Sequence, residues 1–275
     1  MKRPVSTPAA ARRPNRYTQL LEHLFELHYR PGATEVEVDR EEMEAAAGKL
    51  AIKLPRNPYD IAYTFRFRAP MPASVQAKAP QGQQWILRTA GRGKYRFVAI
   101  SNEATITPDS AIAETKVPDA TPGVIALYAL NDEQALLAKL RYNRLIDIFT
   151  GIACYSLQNH LRTTVESTQL ETDELYVGVD RRGAHYVLPV QAKGGRDRLN
   201  IVQIEQDIAM CALKFPNLIC RPIGAQFMSD ELIALFELEE TEKGIAKAAE
   251  KHYRLVTPDQ LSAEDLATYR TRTEP

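Results

Sequence analysis

The chain has 275 residues, 44% hydrophobic and 25% charged, with 35 Lys+Arg balanced by 35 Asp+Glu. That suits one large domain or two small ones, and no apolar run reaches the ~18 residues a membrane helix needs. Three cysteines, Cys154, Cys211 and Cys220, are too few and too scattered for a disulfide framework or a zinc finger.

Residues 1–16, rich in Pro, Ala and Arg without an acid, read as a disordered basic arm. They contain no apolar signal core, so neither export nor a membrane is expected and the reading is cytoplasmic. Tyr17 to Tyr29 sets Leu20, Leu21, Leu24, Phe25 and His28 at helical spacing and stops at Pro31-Gly32. Glu35 to Val38 alternates as a short strand, and Asp39 caps a second helix whose first turn carries Glu41, Glu42 and Glu44. Pro58 suits the start of a third helix from Tyr59 to about Arg68. Trp85–Leu87 and Tyr95–Val98 flank Ala90-Gly91-Arg92-Gly93, a glycine hairpin signal.

The zero net charge conceals a division. Residues 1–105 carry 17 Lys+Arg against 10 Asp+Glu, and residues 106–275 carry 18 against 25. Between 46 and 102 ten cations meet one acid, Asp60, which points to nucleic acid, a solvated basic face being the plain alternative. Helix, strand, helix, helix and basic hairpin, over residues 17–105, resemble a winged helix-turn-helix module. The resemblance implies that Asn57, Tyr59, Arg66 and Arg68 face DNA bases or phosphates. Arg88, Arg92, Lys94 and Arg96 would grip the backbone. A winged helix used for oligomerisation or effector sensing is the alternative.

Residues 106–124, with prolines at 108, 118 and 122, read as a linker or a covering loop, and 125–275 as a second domain. Asn131 is a good N-cap for one long helix with Leu136, Leu137, Leu140, Leu145, Ile148 and Phe149 in its stripe. The pattern then turns to period two: strands Leu161–Val165, Thr172–Asp180 and Ala184–Lys193, the last two joined by Arg181-Arg182-Gly183. Asn200–Lys214 is an amphipathic helix with Ile201, Ile204, Ile208, Cys211 and Phe215 on one face. Leu218–Met228 and Leu232–Leu238 read as strands, and helical sequence closes the chain, Ser262 capping the last helix.

A three-residue turn with Gly183 left-handed sets Asp173 opposite Gln191 and Glu171 opposite Lys193, all four on one face. A two-residue turn would still leave Asp173 and Gln191 diagonal neighbours. An Asp on one strand and Gln191-Ala192-Lys193 at the end of its hairpin partner resemble the PD-(D/E)XK nuclease superfamily, in the Gln-Ala-Lys form of Mrr-like restriction endonucleases. The order helix, three strands, helix, strand over about residues 125–240 is similar to that family's core. The fold class implied is a two-domain α+β or α/β chain, the second domain a restriction-endonuclease-like mixed sheet flanked by helices.

The resemblance implies metal-assisted phosphodiester hydrolysis with Mg²⁺, a hard ion that takes oxygen ligands. Asp173 would be the anionic ligand, with the Gln191 side-chain oxygen and the Ala192 carbonyl beside it. Lys193 would orient or deprotonate the attacking water and oppose charge on the phosphate. A second acid is expected near the start of the long helix, best Glu133, with Glu171 and Glu166 as substitutes. Thr172 stands where the family often has Pro, and Gln191 where an acid is commoner. An exposed cross-strand ion pair is the plain alternative for Asp173 and Lys193. Gln203 and Gln206 lie on the following helix, where a solvated face accounts for them better than contact with a scissile phosphate, and His160, the histidine nearest the hairpin, reads as structural. Arg141, Asn143 and Arg144 suit either DNA or the interdomain surface. Pro118-Asp119 is excluded, because a long helix separates it from the next Gln-x-Lys. No Ser/His/Asp grouping, phosphate-binding loop or dinucleotide glycine pattern appears.

The two resemblances together imply a type II or modification-dependent restriction endonuclease acting on double-stranded DNA; a homodimer is expected only because cutting both strands commonly takes two active sites. The alternatives are an inactive DNA-binding regulator that keeps the fold, and a structure-selective repair nuclease.

Overall fold

A computed structural model describes residues 15–57, 59–91, 93–101, 103–130, 132–165, 168–194 and 197–272. The expectations placed on the arm up to residue 14 and on Pro58, Arg92, Asn131 and Glu166 lie outside these residues. The chain divides into two units, Met1–Phe65 with Ala69–Ala99, and Arg66–Arg68 with Ile100–Pro275. Among the described residues no helix is long and apolar enough to cross a membrane.

The first elements are α1 (Arg16–His28), β1 (Glu35–Asp39), α2 (Arg40–Lys49), α3 (Tyr59–Phe67), α4 (Ala73–Gln76), β2 (Gln84–Thr89) and β3 (Lys94–Ile100). Asn15 Oδ1 accepts the Tyr17 N–H at 3.2 Å to start α1, and the Asp39 N–H donates to Glu42 Oε2 at 2.9 Å to start α2. The three strands lie in the order β1-β3-β2, β1 antiparallel to β3 with Val38 opposite Tyr95. α1 buries Leu20, Leu21, Leu24 and Phe25 against this sheet. The Phe25 ring meets Trp85 and Phe97 edge-on with centroids 5.1 and 5.0 Å away, pairs worth ~0.5–1.5 kcal/mol each beyond their buried area.

The second unit continues with β4 (Thr105–Ile106), β5 (Glu114–Pro118), α5 (Gly123–Tyr128), α6 (Glu133–Tyr142), α7 (Leu145–Thr150) and β6 (Ala153–Val165). After them come β7 (Thr168–Val179), β8 (His185–Lys193), β9 (Leu199–Asn200), α8 (Ile201–Lys214), β10 (Ile219–Cys220) and β11 (Ile223–Phe227). The chain closes with β12 (Leu232–Thr241), β13 (Gly244–Val256), a 3-10 turn Pro258–Gln260 and α9 (Ala263–Thr271). Eight strands form one mixed sheet in the order β5-β13-β12-β11-β8-β7-β6, with β10 also on β8. β8 runs parallel to β10 and β11, and β13 to β5; the other pairs are antiparallel. The fold class is therefore α+β with a large mixed sheet, as expected at that level. Leu136, Leu137 and Leu140 of α6 and Leu145 and Ile146 of α7 pack on one face with Tyr176, Leu188 and Val190. Met210 and Cys211 of α8 pack with Leu170, Leu175 and Val187 on the other.

Several boundaries differ from the sequence reading. The stretch 106–124 is no plain linker, since it supplies β5, an edge strand along β13. The long helix is two, broken where Arg144 takes a left-handed φ of 49°. There Asn143 turns inward: its Oδ1 accepts the Ala120 N–H and its Nδ2 donates to Thr121 Oγ1, so its amide holds a loop. The strand expected at Leu161 starts at Ala153. The strand expected over Leu218–Met228 is interrupted before Ile223, because Pro222 has no N–H to give a ladder. The closing segment expected to be helical is mostly β13. Its Ala, Lys and Glu residues favour helix, but pairing along β12 and β5 overrides that weak preference. Ser262 does cap the last helix, its Oγ accepting the Asp265 N–H at 3.1 Å.

Candidate active site

The hairpin β7–β8 has the expected register. Its ladder runs from Val179 opposite His185 to Glu174 opposite Val190, closed by a loop in which Gly183 has φ 82°. Beyond Glu174 and Val190 side chains replace the ladder. The Ala192 N–H donates to Asp173 Oδ2 at 2.8 Å, and Gln191 Nε2 donates to the Glu171 carbonyl at 3.2 Å. Leu170 and Leu175 both pack with Met210 and Cys211 although an odd number of positions separates them, so the alternation of β7 slips once between them. Thr172 Oγ1 consequently donates to Asp207 of α8.

This slip corrects one expectation. Asp173, Gln191, Glu171 and Lys193 do not share a face. Gln191 turns to α8, while Asp173 and Lys193 meet Glu133, the first residue of α6. Lys193 Nζ stands 3.7 Å from Asp173 Oδ2 and 3.9 Å from Glu133 Oε2, with only 12% of its side chain exposed. Gly194 allows this approach: a Cβ there would stand 3.1 Å from the Asp132 carbonyl carbon and 3.2 Å from the Glu133 nitrogen. Asp132 caps α6, its Oδ1 accepting the Ala135 N–H at 3.0 Å.

Burial, and then the neighbouring Asp173 carboxylate with which it shares a hydrogen bond, push the Glu133 carboxyl up to about 8, against the pull of Lys193. Glu171 adds to that field from further out. Its own carboxylate is half exposed and pairs with His160 Nδ1 at 3.3 Å and Arg162 at 3.2 Å. His160 also meets Gln134 Nε2 at 2.7 Å and holds a left-handed φ of 47° within β6.

Gln191 is fully buried and committed on every side. Its Nε2 donates to Asp207 Oδ2 at 2.9 Å and its oxygen accepts from Gln203 Nε2 at 3.1 Å. Gln203 therefore lies under the hairpin rather than on an open helix face. Ala192 is buried as well, its N–H spent on Asp173.

Asp207, 1% exposed, is the residue the sequence reading passed over. Burial pushes its carboxyl up to about 7, Asp173 adding to the rise while Thr172, Gln191 and Lys193 oppose it. The signal was present: Asp207 stands three residues after Ile204 and four before Cys211, an acid on the apolar stripe of α8.

Of the helix residues left open, Arg141 pairs with buried Glu174 at 3.0 Å, Asn143 holds the loop at 120–121, and Arg144 pairs with Asp147. Among the described residues no group of three or more His, Cys, Asp or Glu is set to hold a metal ion. The hard donors that do converge are the carboxylates of Asp173 and Glu133.

In the first unit Asn57 and Lys94 are exposed and Arg88 is half-buried; Arg68, which groups with the second unit, is exposed as well. Asn57 Nδ2 donates to Asp60 Oδ1 at 3.0 Å. Arg66 is 7% exposed, its guanidinium 4.5 Å over the Phe67 ring, and so is not displayed on the helix surface. Arg96 is engaged by Glu35 and Glu37. The Tyr59 side chain and Arg92 lie outside what is described.

Comparison with family models, with characterised proteins and with solved structures gives no match for this chain.

Proposed function

We propose that the chain is a divalent-metal-dependent DNA endonuclease of the PD-(D/E)XK kind, carrying a winged-helix-like DNA reader in its N-terminal unit. One observation carries this reading: Lys193 Nζ lies 3.7 Å from Asp173 and 3.9 Å from Glu133, two carboxyl groups that also meet each other, at the open end of the β7–β8 hairpin. The order α6, β6, β7, β8, α8, β11, with β8 parallel to β11, supports it, as does α1, β1, α2, α3 and a basic hairpin in the N-terminal unit. Restriction of foreign DNA is the role that fits a reader joined to such a site.

The donor set fits a hard cation. Two carboxyl groups share a hydrogen bond, and one of them holds its proton to about pH 8; a divalent ion takes the place of such a proton. Asp173 and Glu133 would hold it, and when bound it supplies charge stabilisation at the phosphate and acidifies water. The chain's own residues do the rest. The Ala192 N–H fixes the Asp173 carboxylate, and Lys193 Nζ presents N–H bonds that oppose the charge growing on a non-bridging phosphate oxygen. Water adds to phosphorus and the bond to the leaving oxygen breaks, yielding a phosphomonoester and a hydroxyl end. Gln191, with its oxygen on Gln203, serves as a strut rather than a ligand.

Plasmid DNA incubated with wild type and with Lys193→Ala, with and without Mg²⁺, tests the reading. Metal-dependent cutting that disappears in the variant is the expected result. The amide at position 191 favours a second reading, a DNA-binding regulator without catalysis; retardation of DNA with no cutting by either protein would establish that one instead. Cutting confined to branched DNA would mark a repair nuclease, and plasmids of different methylation separate the two restriction types.

A further inference from the structure

Two strands must stay at a fixed separation for Asp173 and Lys193 to meet, yet the backbone ladder between them ends at Glu174 and Val190. Past that point β7 and β8 are joined by the Ala192 N–H on Asp173, by the Gln191 amide on the Glu171 carbonyl, and by one further bridge. That bridge is Asp207. Its Oδ1 accepts from the Thr172 hydroxyl on β7 and its Oδ2 from the Gln191 amide on β8. A carboxylate removed from water is costly unless its lone pairs are satisfied, and helix α8 would bury an apolar residue here more cheaply. Each of its two partners adjoins a residue of the candidate site: Thr172 precedes Asp173, and Gln191 lies two before Lys193.

We propose that Asp207 is a positioning residue of the active site, a staple from α8 that fixes β7 against β8 where the ladder ends and so sets the distance between Asp173 and Lys193. It acts through Thr172 and Gln191 and touches no reacting atom. Gln191 is explained by the same arrangement. An acid at 191 would oppose the Asp207 carboxylate across 2.9 Å, whereas an amide donates to it. The proposal rests on the nuclease reading for its Mg²⁺ and kinetic arms, and not for its hydrogen-exchange arm.

Three variants test it: Asp207→Asn, Gln191→Glu, and the double exchange Gln191→Glu with Asp207→Asn, which swaps carboxylate and amide and restores a complementary pair. Hydrogen exchange of single amides reads the geometry without any ion or substrate. In Asp207→Asn the Ala192 amide should exchange ~10-fold faster while Tyr176 and Val187, inside the intact ladder, keep their protection. In calorimetric titration with Mg²⁺, and in kcat on plasmid DNA with KM unchanged, the same variant should fall ~10–100-fold, the usual cost of losing a residue that orients a metal ligand. The double exchange restores the bond between positions 191 and 207 but leaves the Glu171 carbonyl without its donor, so it should recover part of each loss and exceed either single variant.

Unchanged exchange at Ala192 overturns the proposal. So does acceleration of all ladder amides together, because Asp207 would then be holding up the whole unit. Local loosening at Ala192 in a protein that neither binds Mg²⁺ nor cuts DNA would keep the staple and discard the nuclease.

Discussion

Lys193 and Asp173 belong to strands whose ladder has already ended, yet their charged groups stand 3.7 Å apart, with Glu133 beside Asp173 at 3.9 Å from the same ammonium. One cation therefore faces two carboxyl groups in a poorly hydrated corner. Lys193→Met removes the only counter-charge for that pair among the described residues. The expected loss of stability is about 1–3 kcal/mol at pH 8, below the ~3–5 of a fully buried pair because Glu133 is partly exposed. At pH 5, where Glu133 keeps its proton, the loss should shrink. Urea melts of both proteins at the two pH values check this, and equal losses would remove Glu133 from the account.

Glu133 makes a second prediction through its raised carboxyl. The folded chain holds this proton to about pH 8, whereas the unfolded one releases it near 4.5. A folded value above the unfolded one gives stability that is complete below pH 4.5 and is lost as pH rises toward 8. Wild type should therefore melt at lower temperature at pH 8 than at pH 5, and Glu133→Gln should flatten part of that slope. Asp207, also raised, retains its share in the variant. Mg²⁺ should recover melting temperature at pH 8 in wild type and much less in Glu133→Gln. A slope untouched by the substitution would show that other groups set it.

Gly194 gives a purely steric prediction. A methyl group there must displace the backbone of Asp132 and Glu133 by a few tenths of an ångström. Gly194→Ala should cost about 1–3 kcal/mol as overpacking and, because the displaced backbone carries Glu133, should depress Mg²⁺ binding as well. Thermal melting beside calorimetric titration separates the two effects; a variant that melts early yet binds Mg²⁺ normally would place the strain elsewhere.

His160 sits in a conformation that costs an L residue roughly 1–2 kcal/mol, bound to Gln134 on one side and Glu171 on the other. In chemical denaturation His160→Val should lose the ring's bonds and add strain, because a branched Cβ tolerates this backbone worst, and His160→Gly should lose less, since glycine accepts the backbone freely. Equal losses would mean that the ring contacts outweigh the backbone.

What the sequence revealed follows from range of interaction. The hairpin register was legible because Gly183 fixes a short loop and alternation does the rest. Glu133 was legible only through the family resemblance, which implies an acid at the start of the long helix beside the second strand. The slip in β7 was not, since it depends on α8 drawing Thr172 and Gln191 toward Asp207, a contact 35 residues away in sequence from Thr172. β13 was hidden for the same reason, its helix-forming residues being held extended by β12 and β5. Asp207 was visible as an acid on an apolar stripe, but only the fold shows what it grips.

The last prediction concerns the basic hairpin of the first unit. If it meets DNA phosphate, each cation that neutralises a phosphate contributes ~0.9 to the slope of log affinity against log salt. Lys94 is exposed near its tip, so Lys94→Ala should reduce the slope by about that amount. Arg96 is already engaged by Glu35 at 3.3 Å and by Glu37, so its charge is partly spent. Arg96→Ala should therefore change the slope less, while releasing two carboxylates that weaken binding at every salt concentration. Fluorescence anisotropy of duplex DNA from low to physiological salt distinguishes the two patterns. A Lys94→Ala slope equal to wild type would take the hairpin away from the phosphate backbone and leave α3 as the remaining candidate surface.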